Sequence, residues 1–255
     1  MRLKVLGCSG GIGGRHFRTT SLLVDDDVLI DAGTGAFDLS ITALSQIDHV
    51  FLTHSHLDHI SALPLILDAV SAAREKPLTV YALSQTIAAL RAHIFNWEIW
   101  PDFSVLPSAD APALVYRTIE LDEVVDLEGR MIRVLPANHV VPAVGYELRG
   151  KLASLVYTGD TCMSPDFWQQ VNNISRLKYL IIETAFCNRD RALAEQSKHL
   201  CPSLLAEELD SLKLIPEIFI THLKPGEIDL ILREIDQMAA KWSPKMLQNR
   251  QNFEF

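Results

Sequence analysis

The chain has 255 residues, of which 48% are hydrophobic and 22% charged, and its formal net charge is −9. These values are typical of a soluble globular protein and exclude the disordered, low-complexity and collagen-like classes. The acidic balance argues against a general binder of nucleic acid or of anionic membranes, because both require a basic surface. It does not exclude a phosphorylated substrate, since bound divalent cations would reverse the sign of the local charge.

Strands are predicted where apolar residues alternate or cluster between turn signals. In chain order they cover residues 3–6, 20–24, 28–31, 49–53, 78–81, 113–119, 131–135, 144–148, 155–157, 179–182 and 218–220. Helical periodicity predicts helices over residues 37–46, 60–73, 85–97, 200–213 and 228–240. An early hairpin around an acidic turn, followed by alternating strands and helices, is typical of an α/β protein.

The organisation of the chain predicts a single domain over residues 1–255, because one α/β domain commonly reaches about 250 residues. The least regular stretch, residues 95–112, contains Trp97, Trp100, Phe103 and three prolines. This stretch is an insertion that acts as a lid or binds a partner. The alternative is an ordinary packed surface loop.

The cysteines and the apolar segments indicate the cellular compartment of the protein. The four cysteines have no Cys-x-x-Cys spacing, so we expect reduced thiols in a cytoplasmic protein. The apolar stretch before Cys8 is too short for a lipoprotein signal, which needs about seven apolar residues or more. No apolar run approaches the roughly 18 residues of a membrane span, and we expect no membrane partner.

A cluster of metal-type side chains follows the predicted strand 49–53. His54, His56, Asp58 and His59 lie within six residues. Alternate residues of an extended segment share a face, so His54 and His56 project together, and a turn into the next helix directs Asp58 and His59 elsewhere. The segment therefore supplies two adjacent sites. Imidazole and carboxylate ligands suit Zn, Mn or Fe, and the absence of a nearby cysteine argues against a structural thiolate zinc site.

Three later strand ends each deliver another metal-type residue. His139 follows the strand 131–135, Asp160 follows the strand 155–157, and His222 follows the strand 218–220. Each residue alone fits an ordinary hydrogen-bonded role. Because α/β folds place their sites where strands end, four such ends together predict one metal centre.

The motifs THSHLDH at residues 53–59, TGD at 158–160 and THLKP at 221–225 resemble those of the metallo-β-lactamase superfamily. With LIDAGTG at 29–35, the resemblance extends from Gly7 to about Gly226. It implies an αββα sandwich, two mixed β-sheets flanked by helices, with two divalent metal ions per chain at one edge. Zn is expected first, with Mn or Fe as alternatives. In the implied assignment, one metal is held by His54, His56 and His139, the other by Asp58, His59 and His222, and Asp160 bridges both.

A narrower resemblance begins at Glu183. The segments 183–188, 193–202 and 221–225 are similar to the class II 3',5'-cyclic-nucleotide phosphodiesterases, although Lys198, Cys201 and Ala185 depart from the usual family residues. The resemblance implies hydrolysis of cAMP or cGMP to the 5'-nucleotide and places His199 near the metals. The expected partner is a small-molecule phosphodiester rather than nucleic acid, and a homodimer is left open.

The implied chemistry is that of a dinuclear hydrolase. Two divalent cations about 3.5–4 Å apart can bridge a water and lower its pKa, and the hydroxide would attack phosphorus. Asp58 would bind metal and orient the nucleophile. His199 would protonate the leaving oxygen or contact the phosphate, or has only a structural place at a helix start. Asp31 is either a carboxylate that orients a ligand histidine or a turn residue.

Several other readings stay open on the sequence. His16, Lys224, Arg189 and Arg191 are further candidates for substrate contact, and each also fits a surface role. A ribonuclease Z-like nuclease or another phosphodiesterase would use the same metal centre. A thioester or lactone hydrolase shares the ligands too, and a metal-binding module without activity is the non-enzymatic alternative.

Overall fold

The strands and helices are described from a computed structural model over residues 1–14 and 16–255. The strands are β1 (Arg2–Gly7), β2 (Ser21–Val24), β3 (Val28–Ile30), β4 (His49–Phe51), β5 (Leu78–Ala82), β6 (Pro107–Ser108), β7 (Ala111–Pro112), β8 (Leu114–Thr118), β9 (Val124–Leu127), β10 (Arg130–Pro136), β11 (Val144–Arg149), β12 (Ser154–Tyr157), β13 (Leu177–Glu183), β14 (Glu217–Thr221), β15 (Lys245–Met246) and β16 (Asn252–Glu254). They form two seven-stranded sheets and a two-stranded ribbon.

Both large sheets are mixed. The first has the order β16-β1-β2-β3-β4-β5-β8 and the second the order β15-β14-β13-β12-β11-β10-β9. Strands β3, β4, β5 and β8 run parallel in the first sheet. Strands β12 to β15 run parallel in the second, whereas β9 to β12 pair antiparallel. Parallel strands end on the same side of a sheet, so each sheet presents a row of carboxyl ends at one edge.

Helices cover the outer face of each sheet. The α-helices are α1 (Ile41–Leu44), α2 (Leu57–Ile60), α3 (Leu63–Val70), α4 (Ser84–His93), α5 (Pro165–Val171), α6 (Arg191–Ser197), α7 (Pro202–Leu209) and α8 (Ile228–Met238). Short 3₁₀ helices cover Thr34–Asp38, Ser71–Ala73, Asn188–Asp190 and Ala240–Trp242. Over residues 1–14 and 16–255, none of the helices has the length and apolar character that crossing a membrane requires.

The buried apolar residues form three clusters, and these show how the sheets and helices are layered. Alternate residues of the strands point to opposite faces. In the hairpin, Leu22 and Ile30 face the second sheet, whereas Leu23 packs toward the helices α1 to α4. A third cluster packs the second sheet against α5 to α8. The two sheets therefore face each other between two helical layers, and the predicted αββα sandwich is confirmed.

Most predicted strands are present within one or two residues, but the predicted helices need correction. The helix expected over residues 37–46 is a 3₁₀ turn followed by α1, because the Ser40 hydroxyl caps a new start by accepting the backbone N–H of Ala43 at 3.2 Å. The helix expected over residues 60–73 is divided between α2, α3 and a 3₁₀ turn. The helix expected to begin at residue 200 begins at Pro202, a residue suited to a first turn.

Two further differences from the predictions are the end of one helix and the presence of short elements without a clear sequence pattern. The helix expected over residues 85–97 ends at His93, and the Asn96 side chain accepts the backbone N–H groups of Glu98 and Ile99 in the turn that follows. Strands β9 and β16 and helices α5 and α6 were not expected from the sequence. Each has three to seven residues, too few for a clear period.

The irregular stretch over residues 95–112 is a loop that contains the ribbon β6–β7. The rings of Phe95 and Phe103 are buried against each other, with centroids 6.5 Å apart. The side chains of Trp97 and Ile99 are exposed by 62% and 63%. The segment is thus anchored by two phenylalanines, and its role as a lid or partner-binding insertion stays a prediction.

A side-chain hydrogen bond from β11 joins the two sheets next to the cluster of metal-type residues. The hydroxyl of Tyr146 on β11 donates to the carbonyl oxygen of Leu52, just after β4, at 2.6 Å. The backbone N–H of Val144 donates to the carbonyl oxygen of Thr53 at 3.0 Å. These two bonds hold the end of β4 against the second sheet.

We expect Tyr146→Phe to lower the free energy of unfolding by about 1–3 kcal/mol, because the buried Leu52 carbonyl loses its partner. Urea denaturation at constant metal concentration measures this. Tyr116→Phe is the matched control, because the Tyr116 hydroxyl is buried without a hydrogen-bond partner among the described residues. An equal loss in both variants would contradict a specific role for the bond between the sheets.

Candidate metal centre

The seven predicted metal ligands converge at the edge where strands of both sheets end. His54 follows β4, His139 follows β10, Asp160 follows β12 and His222 follows β14. Asp58 and His59 lie in the single-turn helix α2, whose N-cap residue is His56. The structure therefore brings together all seven, from four loops that are distant in sequence.

The first group consists of His54, His56 and His139, whose nitrogen atoms lie within 4.8 Å of one another. His139 Nε2 lies 3.2 Å from His56 Nδ1, with the two rings edge to face. The other nitrogen of His139, Nδ1, donates to the carbonyl oxygen of Lys198 at 3.1 Å. This bond orients the ring so that Nε2 faces the group.

The second group consists of Asp58, His59, Asp160 and His222, again within 4.8 Å. Asp160 is central to it, since its carboxylate oxygens lie 3.3 Å from His59 Nε2 and 3.3 Å from His222 Nδ1. Asp160 Oδ2 also lies 3.8 Å from His54 Nε2 of the first group. The carboxylate of Asp160 thus stands between the two groups.

Four polar atoms at this centre are buried without a hydrogen-bond partner among the described residues. They are His54 Nε2, His59 Nε2, Asp160 Oδ1 and His222 Nδ1. Buried polar atoms rarely go unsatisfied, and one reason for an exception is an ion. The donor set of imidazole nitrogen and carboxylate oxygen suits Zn, Mn or Fe. The residues present therefore fit divalent metal ions.

A buried carboxylate, Asp31, orients two of these histidines. It is fully buried just after β3 and accepts a hydrogen bond from His59 Nδ1 at 2.7 Å, which leaves His59 Nε2 for the centre. It also accepts the backbone N–H of Thr53 at 2.8 Å and the Thr53 hydroxyl. The Thr53 hydroxyl in turn lies 3.0 Å from His54 Nδ1. Of the two roles considered for Asp31, the contact with a ligand-type histidine is the one observed.

His199 stands beside the centre and is held by Glu183, a residue to which the sequence motifs gave no role. His199 Nδ1 lies 2.7 Å from Glu183 Oε1. The Glu183 carboxylate is fully buried and also accepts the backbone N–H groups of Thr161 and Leu200. The His199 ring stacks on His222 at 5.3 Å, and its nitrogen lies within 4.8 Å of His139 and Asp160. The signals for Glu183 were its place at a strand end and at the start of the segment that resembles the cyclic-nucleotide phosphodiesterases.

Burial sets the protonation of the histidines. It holds the pKa of His54 well below its usual value, aided by the charge of His59. It lowers the pKa of His139 to about 4 and that of His222 to about 3. These imidazoles are neutral at neutral pH, which is the form that binds metal.

The carboxylates reverse this effect at His59. Burial lowers its pKa, but the charges of Asp160 and Asp31 outweigh burial and raise the pKa well above its usual value. Burial raises the pKa of Asp160, but the neighbouring imidazoles of His222 and His59 hold it well below the usual value. In the metal-free chain His59 therefore carries a proton that metal binding would release.

The backbone around His222 depends on a glycine. His222 has a left-handed φ of 63°, and its N–H donates to the carbonyl oxygen of Cys8 at 2.8 Å. A Cβ atom at Gly10 would lie 2.2 Å from the His222 carbonyl oxygen. The glycine-rich loop after β1 thus allows the chain to pass directly against this histidine.

The remaining candidates for substrate contact have other partners or positions. Lys224 Nζ donates to the carbonyl oxygen of Gly10 at 2.7 Å. Arg189 forms ion pairs with Glu227 and Asp190, and Arg191 with Glu195 and Glu207. His16 lines an apolar cavity that none of the seven predicted ligands borders.

A family model of the beta-lactamase superfamily domain matches residues 26–223. The chain belongs to this superfamily. Two solved structures confirm the metallo-β-lactamase fold over the whole length. The metallo-β-lactamase fold protein YhfI from Bacillus subtilis has a TM-score of 0.78 at 18% identity, covering 99% of each chain. Unliganded yeast PDE1 has a TM-score of 0.81 at 18% identity, covering 100% of this chain and 99% of that one.

Sequence relatives fall into two named groups. A probable 3',5'-cyclic-nucleotide phosphodiesterase of Yersinia pestis is 28% identical over 209 residues, which is 71% of this chain and 58% of that protein. Ribonuclease Z of Clostridium beijerinckii is 30% identical over 152 residues, which is 56% of this chain and 47% of that protein. The chain thus spans about half the length of these curated relatives.

The superfamily and its fold imply divalent metal binding, and the two His/Asp groups supply the side chains for it. The resemblance that the motifs indicated is thereby confirmed at the level of the family. The assignment of each residue to one metal or the other stays a prediction.

We expect Asp31→Asn to weaken zinc binding about 10–100-fold. An amide nitrogen in the place of Oδ2 cannot accept the hydrogen bond from His59 Nδ1, so the imidazole loses its orientation. Competition with a chromophoric chelator measures the affinity. Asp27→Asn is the matched control, because Asp27 pairs with Arg130 at the far end of the same strand. Unchanged zinc affinity in Asp31→Asn would show that Asp31 supports only the turn.

Proposed function

We propose that the chain is a metal-dependent phosphodiesterase that hydrolyses a 3',5'-cyclic nucleotide to the 5'-nucleotide. The observation that carries this proposal is the convergence of unpartnered imidazole and carboxylate atoms around Asp160, with the His199–Glu183 pair at their side. A phosphodiester needs both a centre that neutralises its charge and a group that protonates the leaving oxygen.

Two divalent cations, zinc in the first instance, would share this centre. His54, His56 and His139 would hold one, Asp58, His59 and His222 the other, and Asp160 would contact both. When bound, such cations neutralise charge on the phosphate and lower the pKa of an attacking water. The position of Asp160 between the groups supports the shared role.

Asp58 is proposed to orient the attacking water. Its side chain is 29% exposed, whereas those of His59 and His222 are essentially buried. Its Oδ2 lies 3.8 Å from His59 Nε2 and 3.8 Å from His222 Nε2. The partly exposed carboxylate would therefore accept a hydrogen bond from a water molecule at the surface of the centre.

His199 is proposed to donate a proton to the leaving ribose oxygen. Its Nδ1–H is donated to Glu183, so Nε2 is the atom that faces the centre. Three hydrogen bonds hold the Glu183 carboxylate, and the His222 ring stacks against the imidazole. Such positioning keeps the donor aligned with an oxygen that leaves from phosphorus.

A small cyclic nucleotide is the favoured substrate. The match to the probable cyclic-nucleotide phosphodiesterase covers 71% of this chain, and the match to ribonuclease Z covers 56%. The formal charge of −9 opposes RNA binding, which depends on contacts between basic side chains and phosphates. RNA is the second candidate, because several relatives are named ribonuclease Z.

A panel of substrates tests the function. We expect the zinc-reconstituted chain to hydrolyse 3',5'-cyclic AMP or cyclic GMP to the 5'-nucleotide, measured by chromatography, with little turnover of pre-tRNA, a thioester or a lactone. Reaction without added metal and in the presence of a chelator is the control. Rapid cleavage of pre-tRNA with no turnover of any cyclic nucleotide would establish the nuclease instead.

A variant of His199 tests the proton transfer. We expect His199→Ala to lower kcat for the cyclic nucleotide by about 10²–10⁴-fold, the usual contribution of a positioned acid. The loss should shrink for an aryl phosphodiester, because a good leaving group needs little protonation. An equal loss on both substrates would indicate that His199 stabilises the phosphate rather than the leaving group.

Metal content provides the control for that variant. His199→Ala should retain two metal equivalents, measured by elemental analysis after reconstitution, because His199 is not among the proposed ligands. Asp160→Ala should lose both, because a shared carboxylate serves both ions. Loss of metal in His199→Ala would make it a ligand, and no more than one equivalent in the unaltered chain would refute the two-metal centre.

A further inference from the structure

A cleft of about 530 Å³ opens beside His139, outside the ring of predicted ligands. Its walls come from three loops. Leu83, Ser84 and Gln85 follow β5, Glu120 and Leu121 lie beyond β8, and the segment from residue 137 to residue 143 follows β10. These are further strand ends at the edge that carries the metal centre, so the cleft continues the same row.

His139 joins the cleft to the centre. It lines the cleft, and its Nε2 lies 3.2 Å from His56 Nδ1 in the first group of predicted ligands. A molecule whose phosphate lies at Asp160 therefore reaches the cleft by extending past one imidazole ring.

The walls combine apolar surface with neutral hydrogen-bonding groups. Leu121 and Val140 are 52% and 49% exposed, and Leu83 adds to this surface. Ser84, Gln85 and Asn138 supply hydroxyl and amide groups. Small-molecule sites typically have such a lining, with volumes of about 300–1,000 Å³.

The charge of the lining decides which part of a substrate it accepts. Among the described residues that line the cleft there is no lysine or arginine, and Glu120 is the one carboxylate. A phosphate would be repelled there. A flat, uncharged group with amino or ring N–H donors would instead pack on the leucines and donate to Glu120.

We propose that this cleft binds the nucleoside of the substrate, with the phosphate at the metal centre and the base between Leu83, Leu121 and Val140. The inference rests on the proposed phosphodiesterase function and extends it. Recognition of the nucleoside is assigned to three loops, and His139 is the one predicted metal ligand that they contain. Leu121 and Glu120 then determine how strongly a nucleoside phosphodiester is preferred over a simple one.

The test is a bulky substitution that fills the cleft. Leu121→Trp should lower the ratio of kcat/KM for 3',5'-cyclic AMP to that for methyl 4-nitrophenyl phosphate by about tenfold or more, because lost pocket contacts act only on the nucleoside substrate. Ser84→Trp, at an exposed lining position in the segment after β5, should act in the same direction. Leu152→Trp is the matched control, since Leu152 is 79% exposed in the turn between β11 and β12.

Equilibrium binding separates this inference from the activity itself. Calorimetric titration of the zinc-loaded chain with 5'-AMP should show about tenfold weaker binding in Leu121→Trp, whereas inorganic phosphate should bind equally to that variant and to the unaltered chain. Equal 5'-AMP affinity in both, or an unchanged ratio of kcat/KM, would overturn the cleft assignment. If the unaltered chain hydrolyses no phosphodiester, the proposed function fails, and the 5'-AMP titration still decides the cleft.

Discussion

The carboxylate of Asp31 is the constraint on which the centre depends. It is fully buried in a left-handed backbone conformation with φ of 58°, and it binds Thr53 and His59. The end of β4, the first histidine pair and helix α2 are therefore held by one charged group. Burying a carboxylate costs several kcal/mol unless hydrogen bonds replace its water. The arrangement is stable only with the loop folded around it, which gives the histidines fixed orientations before any metal arrives.

A second buried carboxylate has the same role in the other sheet. Asp31 follows β3 and Glu183 ends β13, and each lies 2.7 Å from the Nδ1 of a histidine, His59 and His199 respectively. Each leaves the Nε2 of its histidine directed toward Asp160. One of the two imidazoles lies among the metal-type residues and the other stands beside them. The same kind of hydrogen bond therefore orients a predicted ligand in one sheet and the proposed proton donor in the other.

The charges at the centre also explain why it fits a divalent cation. Asp160 is almost fully buried among histidines whose burial favours their neutral forms. Neutral imidazoles compensate a buried carboxylate poorly, and protonated His59 is the chief positive charge that contacts it. A divalent cation satisfies the carboxylate and the unpartnered nitrogens together. A bound divalent cation would therefore add to the stability of these already ordered loops.

Local patterns in the chain were enough to predict most of the strands, the α/β class and the seven metal-type residues, because the spacing in residues 54–59 and the strand ends are short-range features. The resemblance of the motifs to a known family implied the sandwich. Three things required the folded chain. Thr53 and Glu183 acquire their roles from partners 22 and 16 residues away, which no local period records. Helix boundaries followed caps such as Ser40 rather than hydrophobic periodicity. The cleft beside His139 exists only because loops after β5, β8 and β10 meet at one edge, and the pairing of strands, which is non-local, decides that meeting.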